Sequence, residues 1–143
     1  MNEKLLEGII RREACSFLQY VREAFPWATA GKEDTVAQVL RFATREKEAV
    51  ARIAQWLLRR HRGLPPTPSF PMEFTDSNFV SIDYLLPRLL DAQRESVAAL
   101  EADLARLTDV PARELVQQLL TLKREHLQAL ETLTAVAPVG AGH

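Results

Sequence analysis

The sequence is poor in the residues that mark several classes of protein. It has one cysteine, Cys15, among 143 residues, which excludes a disulfide framework and a multi-cysteine zinc site. Its formal net charge is −1, so it lacks the basic excess with which nucleic-acid-binding proteins displace counterions from phosphates. It has no long hydrophobic run, and charges begin at Glu3 and Lys4, so neither a signal peptide nor a membrane span is expected. These absences predict a cytoplasmic protein with no nucleic-acid or membrane partner.

Glycine is also scarce, with five residues, and together with the eight prolines it punctuates the chain. Long stretches between these residues carry apolar residues at helical spacing. This pattern predicts helices over about residues 3–25, 34–62, 77–107 and 110–135, and Pro87 predicts a kink or a later start in the third. No segment alternates with period two, so no sheet is expected. We expect a single domain over residues 1–137 and a disordered tail over 138–143.

The connections between the helices favour one topology. Short connections make helices one and two, and helices three and four, antiparallel hairpins. Residues 63–75 contain four of the eight prolines, and such a segment can span roughly 40 Å at about 3.1 Å per residue, about the length of a 27-residue helix. The sequence therefore predicts an all-α four-helix bundle with up-down-down-up connectivity, in which two helix hairpins are joined by a long Pro-rich crossover.

The two halves of the chain resemble each other. Leu5-Leu6 with Ile9-Ile10 and Glu13 recurs eighty residues later as Leu85-Leu86 with Leu89-Leu90 and Gln93. Arg45-Glu46-Lys47 likewise matches Arg124-Glu125-His126 at an offset of seventy-nine. A duplicated helix hairpin accounts for both matches. Two amphipathic helices built from similar residues remain the alternative.

One polar residue falls on the apolar stripe of each predicted helix, near its middle. These residues are Glu13, Lys47, Gln93 and His126. A charge or an amide in a core stripe destabilises the fold by several kcal/mol unless it is paired or coordinated. We therefore expect the four residues to form a polar cluster in the core.

With these residues the chain resembles the ferritin-like superfamily of di-iron carboxylate bundles. In that family each half supplies a glutamate from its first helix and a Glu-x-x-His motif from its second. By resemblance, Glu13 matches a first-helix glutamate and His126 matches a ligand histidine. The other positions depart from the pattern: Gln93 stands in place of a glutamate, Lys123 in place of the glutamate before His126, and Thr44 and Lys47 in place of the other Glu-x-x-His pair.

These departures predict a degenerate metal centre, because cations and a neutral amide replace ligands that divalent ions need. No metal cofactor and no catalytic residue are expected, and Lys47 is predicted to neutralise Glu13. The alternative is a reduced site for iron, manganese or zinc, built from Glu13 and His126 with Glu46 or Glu125.

A second apolar face is predicted on the back of helix two, at Phe42, Ala49 and Trp56. Either the crossover or a second subunit must cover it. The second possibility predicts a homodimer through these residues.

The function expected from these features is that of a non-catalytic ferritin-like protein with a structural or interaction role. Two alternatives stay open: a metal-binding oxidoreductase or metal-storage protein with a reduced site, and a small-molecule binder with an inter-helix pocket. The sequence names no protein partner, ligand or pathway.

Overall fold

The structure is a computed structural model that describes residues 2–24, 31–60, 70–71, 74 and 81–136. Five helices follow one another in these ranges: α1 (Asn2–Ala14), α2 (Phe17–Ala24), α3 (Glu33–Arg60), α4 (Ile82–Arg106) and α5 (Val110–Val136). No strand occurs in the described ranges, so the expected all-α fold is confirmed. Most of the predicted crossover, 63–75, and the predicted tail, 138–143, lie outside the described residues.

The first predicted helix is broken into α1 and α2 at Cys15 and Ser16. Ser16 begins α2, because its side-chain Oγ accepts a hydrogen bond from the backbone N–H of Gln19 at 3.2 Å and its carbonyl accepts one from Tyr20 at 3.1 Å. A serine in this position satisfies backbone donors that the start of a helix leaves unpaired. The expectation of one continuous helix over 3–25 is therefore wrong, and the break falls next to Glu13.

The other helices lie close to their predicted positions. α3 begins one residue earlier and ends two residues earlier than predicted, and α5 begins at the predicted residue and ends one residue later, within the usual uncertainty of helix ends. α4 begins at Ile82, five residues later than predicted, and Pro87 remains inside it. Asp109 begins α5 by accepting a hydrogen bond from the backbone N–H of Ala112 at 3.2 Å.

Contacts along the helices give their directions. α1 and α2 run antiparallel to α4, since Asn2 bonds to Thr108 near the end of α4 and Phe17 lies under Arg88 near its start. α3 runs antiparallel to α5, since Arg60 is 3.6 Å from Asp109 and Phe42 stacks on His126. α4 and α5 are antiparallel neighbours joined by residues 107–109, and α1 and α2 pack against α3 as well.

The apolar core consists of two clusters, one toward each end of the bundle. The first, toward the α4–α5 connection, contains Leu6, Ile9, Ile10, Ala49, Val50, Ile53, Leu57, Val97, Leu100, Leu107, Ala112, Val116, Leu119 and Leu120. The second contains Phe17, Leu18, Val21, Val39, Ala43, Ile82, Leu85, Leu86, Leu89, Leu90 and Leu130. Each of the long helices α3, α4 and α5 contributes residues to both clusters, and so do α1 and α2 taken together. On each of these segments, at least one buried polar residue lies between the part in one cluster and the part in the other.

Candidate functional site: a buried ion network

Five buried polar side chains lie between the two apolar clusters. They are Glu13 on α1, Glu46 on α3, Gln93 on α4, and Lys123 and His126 on α5, each at most 3% exposed. We call these five residues the ion network.

Lys123 is the centre of the ion network. Its side chain is buried, and its Nζ lies 2.7 Å from Glu13 Oε1 and 2.7 Å from Glu46 Oε1. One ammonium group on α5 therefore bridges a carboxylate on α1 and a carboxylate on α3. This compensates charges that would otherwise be costly to bury.

Protonation of Lys123 and ionisation of Glu46 support each other. Burial opposes the charge of Lys123, but the carboxylates of Glu46 and Glu13 outweigh burial and raise the pKa of Lys123 above its usual value. Burial likewise opposes ionisation of Glu46, but Lys123 and His126 outweigh it and lower the pKa of Glu46. The pair is thus an ammonium and a carboxylate at neutral pH.

The second oxygen of Glu46 also has defined partners. Its Oε2 accepts a hydrogen bond from Gln93 Nε2 at 2.8 Å and lies 2.6 Å from His126 Nδ1. Because an ionised carboxylate only accepts hydrogen bonds, Nδ1 of His126 carries a proton. The other ring nitrogen, Nε2, is buried with no hydrogen-bond partner among the described residues, and the ring stacks on Phe42 with centroids 4.4 Å apart.

Glu13 connects the ion network to the surface. The hydroxyl of Ser96 lies 2.9 and 2.8 Å from the two carboxylate oxygens, and Arg12 Nε donates to Oε2 at 3.0 Å. Arg12 in turn donates to Asp103 on α4 at 2.8 Å. Ionic contacts therefore run from Lys123 in the core to a half-exposed arginine.

Three of the four predicted cluster residues, Glu13, Gln93 and His126, lie together in the core. Lys47 does not: it is exposed, so the prediction that it neutralises Glu13 is wrong. A helix rotates by about 100° per residue, and the buried residues Ala43, Val50 and Ile53 turn Glu46 inward instead. Lys123 takes the role that was predicted for Lys47.

The orientation of α3 that turns Glu46 inward also changes two further interpretations of this helix. The repeat offset of seventy-nine is wrong, because it equates buried Glu46 with exposed Glu125. Of the residues predicted for the back face, Ala49 is 2% exposed, while Phe42 and Trp56 are partly buried: Phe42 stacks on His126 and Trp56 packs against the first apolar cluster. These residues face α5 and the core instead of the back of α3. The homodimer through them stays a prediction.

An offset of eighty residues relates many buried positions of α1 and α3 to buried positions of α4 and α5. It pairs Glu13 with Gln93, Ala43 with Lys123 and Glu46 with His126, and it pairs partly buried Ser16 with partly buried Ser96. It also pairs buried apolar residues with one another, such as Ile9 with Leu89 and Val39 with Leu119. One register therefore relates α1 to α4 and α3 to α5, which the sequence matches had divided between two offsets. It does not extend to α2, where buried Leu18 and Val21 match exposed Ala98 and Glu101.

The ion network does not fit the di-metal centre that the ferritin-like resemblance implies. The ammonium of Lys123 offers only donors and already binds both carboxylates, while a metal ion needs their lone pairs. In the described part of the chain, no group of three or more His, Cys, Asp and Glu side chains could hold a metal ion. Of the carboxylates proposed for a reduced site, Glu125 is exposed on α5 and Glu46 is engaged by Lys123.

A groove of about 700 Å³ lies beside the ion network, between the α1–α2 break and α4. Phe17 and Phe74 contribute an aromatic wall, with ring centroids 5.0 Å apart, and Glu13 and Ser96 line it as well. The groove thus reaches the partly buried end of the ion network.

Sequence reasoning missed the roles of Ser96 and Arg12 and treated Glu46 and Lys123 as secondary. Spacing offers a signal for Glu46 and Lys123: Glu46 lies three residues after Ala43, and Lys123 lies three residues before His126, so each shares a helix face with a core residue.

No membrane-spanning helix, by length and apolar character, is found among the described residues. No family model, curated protein or solved structure matches this chain.

Proposed function

We propose that this chain is a non-catalytic ferritin-like bundle with a structural or interaction role, in which Lys123 occupies the position of the metal ions. The observation that carries the proposal is the 2.7 Å contact of Lys123 Nζ with both Glu13 and Glu46. An internal cation of this kind balances the charge of the carboxylates without a metal.

The arrangement of the helices supports the ferritin-like part of the proposal. Neighbouring helices run antiparallel, and inward polar residues come from four helices at one level, as up-down-down-up di-metal bundles require. The residues at these positions are Glu13, Glu46, Gln93 and the pair Lys123 and His126. Only the pair retains the i, i+3 spacing of a Glu-x-x-His motif, with lysine in place of the glutamate.

Metal binding by the wild type and by Lys123→Glu tests this proposal. We expect protein purified without chelators to contain no stoichiometric iron, manganese or zinc, and Lys123→Glu to gain a site for a divalent ion. The gain follows because the introduced glutamate would complete the motif with His126 and leave Glu13 and Glu46 free to bind. Elemental analysis and calorimetric titration with Mn²⁺ and Zn²⁺ measure both.

Arg124→Glu is the matched control, since it makes the same change at an exposed neighbour on α5. It should bind no more metal than the wild type. Stoichiometric metal in the wild type would contradict the proposal and favour an oxidoreductase or metal-storage role. A folded Lys123→Glu variant without metal affinity would contradict the correspondence with ferritin-like positions.

The groove supports a second candidate, a small-molecule binder, because its volume lies in the range of ligand pockets. Ala92 lines this groove, and Ala92→Trp would fill part of it. If the groove binds a ligand, compounds that raise the melting temperature of the wild type should fail to do so in Ala92→Trp. Equal shifts in both proteins would exclude the groove as their site.

A further inference from the structure

The apolar faces of α1 and α3 resemble those of α4 and α5. The first half, α1–α3, and the second half, α4–α5, bury apolar residues at positions eighty residues apart: Leu6 and Leu86, Ile9 and Leu89, Ile10 and Leu90, Val39 and Leu119, Val50 and Leu130. Contacts between such residues are non-directional. They therefore do not determine whether a first half packs against a second half or against another first half.

The charged residues of the ion network differ between the halves. Both carboxylates, Glu13 and Glu46, belong to the first half, and the ammonium of Lys123 belongs to the second. Gln93 and His126, which bond to Glu46, also belong to the second half.

Pairing of like halves would leave Glu46 and Lys123 without a compensating charge and would leave Glu13 with Arg12 alone. Two first halves would bury four carboxylates without a lysine, and two second halves would bury two lysines without a carboxylate. Unpaired buried charges are strongly unfavourable, and repulsion of this kind is how interfaces reject wrong partners.

We propose that the ion network specifies the pairing of the two halves, so that a first half accepts only a second half, from its own chain or from a second copy. The network thereby selects one assembly from several that the apolar faces alone would allow. This inference does not depend on the proposed function, because it concerns which halves pair and not whether metal binds.

A transposed variant tests the pairing rule without changing composition or net charge. Ala43→Lys combined with Lys123→Ala moves the lysine to the position eighty residues earlier, so that the first half carries both carboxylates and the ammonium. The control, Thr44→Arg combined with Arg124→Thr, moves an exposed charge between equivalent neighbouring positions. Each full-length protein is refolded from denaturant at several concentrations, and its oligomeric species are resolved by native mass spectrometry.

We expect the wild type and the control each to refold into one oligomeric species, and the transposed variant to lose this uniqueness and give at least two. A transposed variant that refolds into the same single species as the wild type would overturn the proposal.

If the transposed variant fails to refold, a neutral variant keeps the test decisive. Glu13→Gln, Glu46→Gln and Lys123→Met together remove both carboxylates and the ammonium of the ion network. Several species from this variant support the pairing rule, and a single species identical to the wild type, or failure to refold, overturns it.

Discussion

The apolar clusters and the ion network lie in the same core but are stabilised by different kinds of interaction. In the clusters, side chains such as Leu119 and Ile53 are buried against many neighbours, and no single direction of contact matters. In the ion network, each bond joins one donor to one acceptor, such as Lys123 Nζ to Glu46 Oε1 at 2.7 Å. Removing a side chain from an apolar cluster leaves a void, whereas removing a partner from the ion network leaves a buried charge without compensation.

This difference determines how each region responds to substitution. Apolar packing tolerates side chains of similar volume, while a buried ion pair tolerates only changes that preserve or remove both charges. Substitutions of Lys123, Leu119 and Lys47 should therefore differ in their cost to stability.

Lys123→Met should destabilise the protein most. It leaves Glu13 and Glu46 buried without their ammonium partner, and breaking a buried pair in this way costs about 3–5 kcal/mol. Urea unfolding followed by circular dichroism measures the loss. Arg124→Met, at an exposed neighbouring position, is the control, and an equal loss in both variants would mean that Lys123 is not the buried partner.

Leu119→Ala should cost about 2–5 kcal/mol, because it removes a fully buried side chain from the first apolar cluster. Leu119→Met, which conserves volume, should cost less than about 1.5 kcal/mol. The same urea experiment measures both. If the two variants were equally destabilised, packing in the cluster would be as specific as bonding in the ion network.

The pH dependence of stability should carry the signature of the Glu46–Lys123 pair. The pKa of Glu46 is lowered, so its contribution is complete above the unfolded value of about 4.3 and is lost as pH falls below it. The pKa of Lys123 is raised, so its contribution is complete below about 10.4 and is lost as pH rises above it. Each group changes the unfolding free energy by at most about 1.4 kcal/mol per pH unit.

Urea unfolding across pH compares the wild type with Glu46→Gln combined with Lys123→Met. The difference in unfolding free energy between the two proteins should be constant from about pH 5 to 10 and should become smaller below and above this range. A difference that changes steadily between about pH 5 and 10 would contradict the assigned charge states.

Lys47→Met should have the smallest effect, within about 0.5 kcal/mol, because its side chain is exposed and takes no part in the ion network. A loss comparable to that of Lys123→Met would place Lys47 in the core after all. Differential scanning calorimetry of the two variants side by side makes the comparison.

The sequence predicts the helices better than it predicts the ion network, for a geometric reason. An apolar stripe covers an arc of about 100° or more, so a small error in helix rotation leaves Ala43 and Val50 in the core. The same error exchanges Glu46 for Lys47, because adjacent residues differ by about 100°. The position of one charge therefore depends on a rotation that the apolar pattern does not fix.

The apolar pattern could not predict two other features, the break between α1 and α2 and the partners of Lys123. The α1–α2 break depends on local bonding by Ser16, which competes with a continuous helix without interrupting the apolar stripe. Lys123 was visible only as a departure from a family motif, since its partners come from α1 and α3 and are distant in sequence. Long-range pairing of this kind is set by tertiary packing.

A double-mutant cycle between Glu46 and Lys123 measures the energy with which the two buried charges stabilise each other. Urea unfolding of the wild type, Glu46→Gln, Lys123→Met and the double variant gives their coupling energy. We predict a coupling above about 1 kcal/mol. The double variant should recover part of the loss in Lys123→Met, because the charges of Glu46 and Lys123 leave the core together while Glu13 keeps its contact with Arg12. Additive losses within about 0.5 kcal/mol would contradict a core organised around the Lys123 ammonium.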